Sequence, residues 1–264
     1  MLAIPTAPWA HYIGDGAAWA CGALAAWAQH RAYPAQTRRL AKVTGPGYYQ
    51  VLAISALAGA WLLGSLNTVR VGLAPSHSIA GALAGGIFGV ELWKWRQGIR
   101  GSTGGAFVLP LAVGIMIGRL GCLFAGLPDL TYGVRTTLPW AVNLGDGVGR
   151  QPVQLYESLA AALFLAAYIP AKRRGASWAT RHAFHAFVIF YAVQRFAWEF
   201  LKPYPTLIGP LNLFHLLCLG LIAYGIFWWR RDAGSAEHWP TDLGPQGGAI
   251  RVPQPDDEPV RNLP

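Results

Sequence analysis

Two arginines and a set of carboxylates stand inside stretches of this chain that are otherwise hydrocarbon. Arg119 lies within GRLGCLFAGLPDLTYG, residues 118–133, inside an apolar run that begins near Ala106 and ends near Leu127. Arg195 lies in YAVQRFAWEFLK and is followed four residues later by Glu199, one turn on and on the same helical face. Glu157 ends PVQLYE, with Gln154 three residues before it and Tyr156 beside it. An ionised side chain in a bilayer is costly, so an intramembrane arginine points to a functional site. A guanidinium fork can hold two phosphate oxygens at once, which makes a pair of such arginines a candidate grip for an anionic lipid headgroup. His77 is the nearby group whose ordinary pKa suits a general base. The structural alternative is a polar network in which the arginines and acids only neutralise one another, with His77 as a hydrogen-bonded packing residue.

The elements that must carry these residues are membrane spans. Of 264 residues, 53% are hydrophobic and only 12% are charged, about half the charged share of a soluble domain. The apolar residues come in blocks long enough to cross a bilayer, at roughly 12–30, 48–68, 76–95, 106–127, 153–171, 183–201 and 207–229. None shows the dyad pattern of an outer-membrane strand. The expected fold is an all-α membrane protein with seven transmembrane helices over 1–231 and a disordered tail over 232–264, rich in Pro, Gly and acid.

The net charge of +9 follows the loops and not a nucleic-acid surface. Thirteen Lys and Arg fall in one set of loops, including Arg31, Arg38, Lys94, Arg100, Lys172, Arg181 and Arg231, against Arg70, Arg135, Arg150 and Lys202 in the alternate set. That asymmetry predicts an outside N-terminus and a cytoplasmic C-terminus. The first eleven residues carry no Lys or Arg, so no signal-peptide n-region is expected. Cys21, Cys122 and Cys218 lie in or beside spans without metal or disulfide spacing and read as packing residues; no metal or other cofactor is expected.

With this orientation Arg119 lies about 20 Å along a core about 30 Å thick. Asp15, His77, Arg119, Gln154, Tyr156, Glu157, Arg195, Glu199 and His215 then all fall in the outer half of the bilayer, from six different spans. Asp15 reads equally as a helix cap or a site residue. Gly118, Gly121 and Gly126 allow close approach of another backbone, as do Gly81, Gly85 and Gly86 in span three. Residues 128–152 form a long outer loop of turn residues, placed to lie over a site as a lid.

The sequence resembles the prolipoprotein diacylglyceryl transferase family. The resemblance is carried by GRLG at 118–121 with Gly126 and Gly133, by PVQLYE at 152–157 and by QRFAWEF at 194–200, and covers roughly residues 12–229. It implies a bacterial inner-membrane enzyme that moves a diacylglyceryl group from phosphatidylglycerol to the cysteine of a prolipoprotein. It further implies that Arg119 and Arg195 hold the phosphate and that Glu199 orients Arg195. Tyr156, Glu157 and Gln154, with Gly121 and Gly133, would line the cavity. The chain departs from the family pattern at Asp15, Cys122, Ala125, Leu127 and Gln151. It has Ala80 at a usual histidine position, leaving His77, one helical turn earlier, to serve as base. A second reading is a non-catalytic lipid-binding membrane protein that keeps the headgroup site.

Overall fold

Each of the seven apolar runs folds into a helix. The computed structural model describes residues 1–69 and 76–234, so Arg70 and the tail beyond Gly234 lie outside the described residues. The helices are α1 (Ala10–Ala32), α2 (Pro34–Val69), α3 (Ile79–Arg96), α4 (Val108–Ala125), α5 (Val153–Arg173), α6 (Ala183–Glu199) and α7 (Leu213–Gly234). Four segments are long and apolar enough to cross a membrane: Thr44–Asn67, Val108–Ala125, Val153–Arg173 and Leu213–Asp232. The chain is thus an all-α, multi-pass membrane protein.

Local sequence sets the helix ends. Gly45 has φ of +61° and Pro46 lacks an N–H, so α2 is broken there. A basic stretch containing Arg38 and Lys42 precedes the break, and the apolar span follows it. Gly126, with φ of +76°, ends α4 in a conformation that suits glycine. Asn212 starts α7 by accepting hydrogen bonds on its side-chain oxygen from the backbone N–H groups of Phe214 (2.9 Å) and His215 (3.1 Å).

The helices pack mainly as α1 on α4, α2 on α3, α4 on α5 and α6 on α7. Glycine makes the first two contacts possible. A Cβ on Gly121 would come within 2.6 Å of the Gly14 Cα, so α1 and α4 cross backbone to backbone. Gly85 meets Gly59 in the same way across α2 and α3. The Ser158 hydroxyl donates to the Met116 carbonyl at 2.7 Å and ties α5 to α4. The apolar core runs through α4, α5, α6 and α7, around Val108, Ala112, Phe164, Tyr168, Val188 and Ala192. At the end of the bundle opposite Arg119, Lys94 pairs with Glu91 at 2.9 Å, and Glu91 also accepts from the Tyr224 hydroxyl.

The 128–152 loop is more ordered than its turn-rich composition suggests. It contains β2 (Val142–Asn143) and β3 (Gly149–Arg150), which pair antiparallel, while β1 (Leu2–Ala3) from the N-terminus pairs parallel to β2. The Asn143 side-chain oxygen accepts from the N–H groups of Gly145 and Gly147 and shapes the hairpin tip. Leu123, Val142 and Leu144 form a small core beneath the sheet, with Ile4, Tyr132 and Leu155 against it. The loop is also fastened to the bundle, since Val134 N–H donates to the Leu201 carbonyl at 2.7 Å and the Tyr204 hydroxyl to the Leu130 carbonyl. A loop tied down at these points is a fixed cap over one end of the helices.

Candidate functional site

Beneath this cap, the end of α4, the start of α5, the end of α6 and the segment that follows α6 bring five charged side chains together. Glu157 is the centre. Its two carboxylate oxygens meet Arg119 Nε (2.6 Å), Arg195 Nη1 (2.6 Å) and Lys202 Nζ (2.9 Å). Arg195 also pairs through Nε with Glu199, at 3.0 Å and four residues on. Glu199 in turn accepts from the Asn212 side-chain amide at 3.1 Å, so the cap of α7 is bonded to the acid that pairs with Arg195. All five side chains are 6% exposed or less.

Such a cluster is sustained because each charge faces an opposite one; removing one partner of a buried pair costs about 3–5 kcal/mol. The balance is unequal, however. Three cations face two carboxylates, leaving one positive charge over when all five are ionised. Several buried polar groups around the cluster also make no hydrogen bond among the described residues: both amide atoms of Gln154, the Tyr191 hydroxyl and His215 Nε2.

The structure divides the residues singled out from sequence. Arg119, Glu157, Arg195 and Glu199 form the cluster, and Gln154 is fully buried on the same helix as Glu157. Tyr156 stands elsewhere. Its hydroxyl donates to Gln151 at 2.8 Å and accepts from Trp140 Nε1 at 2.7 Å, and its ring packs on Trp198. One residue along a helix is a turn of about 100°, so Tyr156 faces the cap while Glu157 faces the arginines. Gly121 serves the α1–α4 crossing, and Gly133 lies against Gln151 and Val153, where a Cβ would run into the Gln151 carbonyl.

His77 is exposed, in the segment that leads into α3 across from Gly64 of α2. No hydrogen bond or ion pair among the described residues joins it to the arginines. His215 is buried against Phe196 and Phe200, and its Nδ1 accepts the Asn212 backbone N–H.

Other members were not visible in the sequence. Lys202 stood there as one of the few outer-loop cations, yet it is buried against Glu157; its place three residues after Glu199 was the available signal. Cys122 does more than pack. It lies beside His11 and Asp129, and Arg119 Nη1 approaches its sulfur at 3.9 Å. Asp15 stands behind that group, with Oδ2 3.3 Å from His11 Nε2. On the cap itself, the Arg150 guanidinium at 2.6 Å holds the Asp146 carboxyl below the usual carboxylate range.

A family model described as prolipoprotein diacylglyceryl transferase matches residues 39–231. A curated phosphatidylglycerol–prolipoprotein diacylglyceryl transferase from Nitratidesulfovibrio vulgaris is 35% identical over 170 residues, covering 61% of this chain and 62% of its own length. A protein of the same name from Finegoldia magna is 32% identical over 122 residues, 46% of each chain. The chain therefore aligns with less than two thirds of either relative. No solved structure matches.

Proposed function

Because the chain belongs to the prolipoprotein diacylglyceryl transferase family, we propose that it transfers a diacylglyceryl group from phosphatidylglycerol to a prolipoprotein cysteine thiol. The reaction takes place at the outer face of a bacterial inner membrane. The observation that carries this reading is the buried excess of one positive charge among Arg119, Arg195 and Lys202 over Glu157 and Glu199. A phosphodiester headgroup carries one negative charge and completes that balance.

In the transfer, the acceptor sulfur, having lost its proton, forms a bond to the glyceryl carbon. The bond from that carbon to the phosphate oxygen breaks, and glycerol phosphate leaves with one more negative charge than the diester carried. Fixed donors aimed at developing charge in a water-poor site are the strongest means of lowering such a barrier. Arg119 spends its Nε on Glu157, leaving terminal N–H groups for phosphate oxygens. Glu199 holds Arg195 from one side and Glu157 holds it from the other, which fixes the direction of its fork. The unpaired Gln154 amide and Tyr191 hydroxyl supply further donors in the same region.

Orientation belongs to the same proposal. All seven helices cross the membrane, with the N-terminus outside, the C-terminus in the cytoplasm and the capped end at the outer leaflet. The loop asymmetry of thirteen basic residues to four supports it. Reporter fusions are expected to place residues 128–152 outside and 172–182 in the cytoplasm. The reverse result overturns the outer-leaflet site.

A second reading, a lipid-binding protein without transferase chemistry, is favoured by one observation: among the described residues no imidazole is hydrogen-bonded to either arginine. The two readings separate in a single assay of purified protein with phosphatidylglycerol and a cysteine-bearing prolipoprotein. The transferase releases glycerol phosphate and adds a diacylglyceryl mass to the cysteine. A binder co-purifies with the lipid and releases nothing, and protein that does neither removes both readings.

A further inference from the structure

Next to the arginine cluster, three elements bring together a second set of side chains that the phosphate site does not use. His11 comes from the first turn of α1, Cys122 from the last turn of α4, and Asp129 from the 3-10 turn Leu127–Asp129 that follows it. Each offers one ligand atom, and the three atoms lie within 4.8 Å of one another. We infer that His11, Cys122 and Asp129 form a three-ligand site for a zinc-class divalent ion, with a fourth position open toward the acceptor thiol.

The atoms around the three ligands are placed as a metal site requires. His11 Nδ1 is buried and pairs with Asp129 Oδ1 at 2.7 Å, so a proton now lies between the two groups that an ion would join. The other ring nitrogen, Nε2, faces Asp15 at 3.3 Å. A carboxylate behind a histidine is the usual outer partner of a metal-bound imidazole, fixing its tautomer and direction. Asp129 is held from behind as well, since the Thr131 hydroxyl donates to its second oxygen. Arg119 Nη1 donates to the Cys122 sulfur at 3.9 Å and so helps to orient the third ligand. A nitrogen, a thiolate and a carboxylate are a donor set suited to zinc, and three protein ligands leave a tetrahedral ion one position for a further group. Arms of about 2.0–2.1 Å to nitrogen and oxygen put those two ligands about 3.3 Å apart, so binding asks His11 and Asp129 to separate by roughly half an ångström.

Charge agrees with this. Two anionic ligands cancel a divalent ion, so Arg119 faces a neutral centre and stays free for phosphate. The ring of His11 is 37% exposed, which opens the site at the mouth of the bundle, whereas Asp129 is 6% exposed.

The use of the open position rests on the transferase reading. A thiol that binds there loses its proton to water at the mouth, because a coordinating thiol is deprotonated outright. The resulting thiolate keeps the sulfur lone pair that forms the carbon–sulfur bond, while the electrons of the breaking carbon–oxygen bond leave with the phosphate. No histidine base is then needed.

The test is metal content first and transfer second. Purified protein, stripped with chelator and titrated with zinc chloride alone, should bind about one ion per chain. Cobalt in its place should give the near-ultraviolet sulfur-to-cobalt band. The Cys21→Ala/Cys218→Ala double variant, which leaves Cys122 as the one cysteine, should keep that band. Cys122→Ala and Asp129→Asn, judged on monodisperse protein, should lose the ion. Asp15→Asn should weaken it about 10–100-fold. Absence of stoichiometric zinc, or loss of the cobalt band in the double variant, overturns the site. If zinc binds and chelation leaves transfer unchanged, the thiol-holding role is overturned. If zinc binds and no transfer occurs under any condition, the metal site stands and the transferase reading fails.

Discussion

Glu157→Gln should destabilise this protein more than any other single change in the site. The carboxylate meets Arg119 and Arg195 at 2.6 Å and Lys202 at 2.9 Å, and it is almost completely buried. Glutamine keeps the shape but removes the charge, so three buried cations are left facing Glu199 alone. Breaking one buried pair costs about 3–5 kcal/mol, and here one acid serves three partners. The expected result is poor accumulation in the membrane and a large loss of thermal stability in detergent. A second change separates charge from shape. Glu157→Gln with Lys202→Met removes one anion and one cation and restores the original excess of a single positive charge. That double variant should recover most of the lost stability. If Glu157→Gln alone is as stable as wild type, the five groups are not held ionised together and the charge argument for the headgroup site fails.

The cluster illustrates what sequence can show and what it cannot. Arg195 and Glu199 were legible because their relation is local; i and i+4 on one helix must meet whatever surrounds them. The positions of all seven helices were legible for a similar reason, since a run of apolar residues declares its own length. Gly121 announced a close approach without naming the partner, and the partner, Gly14, lies more than a hundred residues away.

What escaped depends on contacts of that kind. His11 reaches Cys122 only because Gly14 and Gly121 let α1 cross α4 backbone to backbone, and Asp129 joins them only because Gly126 turns the chain at the end of α4. Composition alone made Cys122 a packing residue and Asp129 a turn former. Lys202 was read through the loop charge count, which is blind to whether a cation faces water or a buried carboxylate. The cap sheet was unreadable for a plainer reason: strands of two residues have no periodicity, and β1 pairs with a segment about 140 residues further on. His77 was selected for its side-chain chemistry, and the short lead into α3 then holds it exposed beside α2.

The second large effect is expected when either arginine is replaced by lysine. Arg119→Lys and Arg195→Lys keep the charge and nearly the length, so both proteins should fold and reach the membrane. Geometry is what they lose. Arg119 engages Glu157 through Nε, and Arg195 engages Glu157 and Glu199 through two different nitrogens, so each guanidinium is held in a fixed plane with further N–H groups projecting from it. Lysine offers one ammonium on a flexible stem, which can satisfy Glu157 or a phosphate oxygen but cannot present a fork to both. Removing one preorganised donor to developing charge typically costs about 100–1000-fold in rate. Each lysine variant should therefore lose transfer by about that factor, with phosphatidylglycerol per protein falling less steeply, because a single charge still attracts the headgroup. The measurement is initial rate of glycerol phosphate release together with co-purified lipid, at matched detergent, for wild type, both single variants and their combination. Wild-type rate and lipid content in both lysine variants would mean that the arginines only balance Glu157 and Glu199, and the phosphate grip assigned to them would be lost.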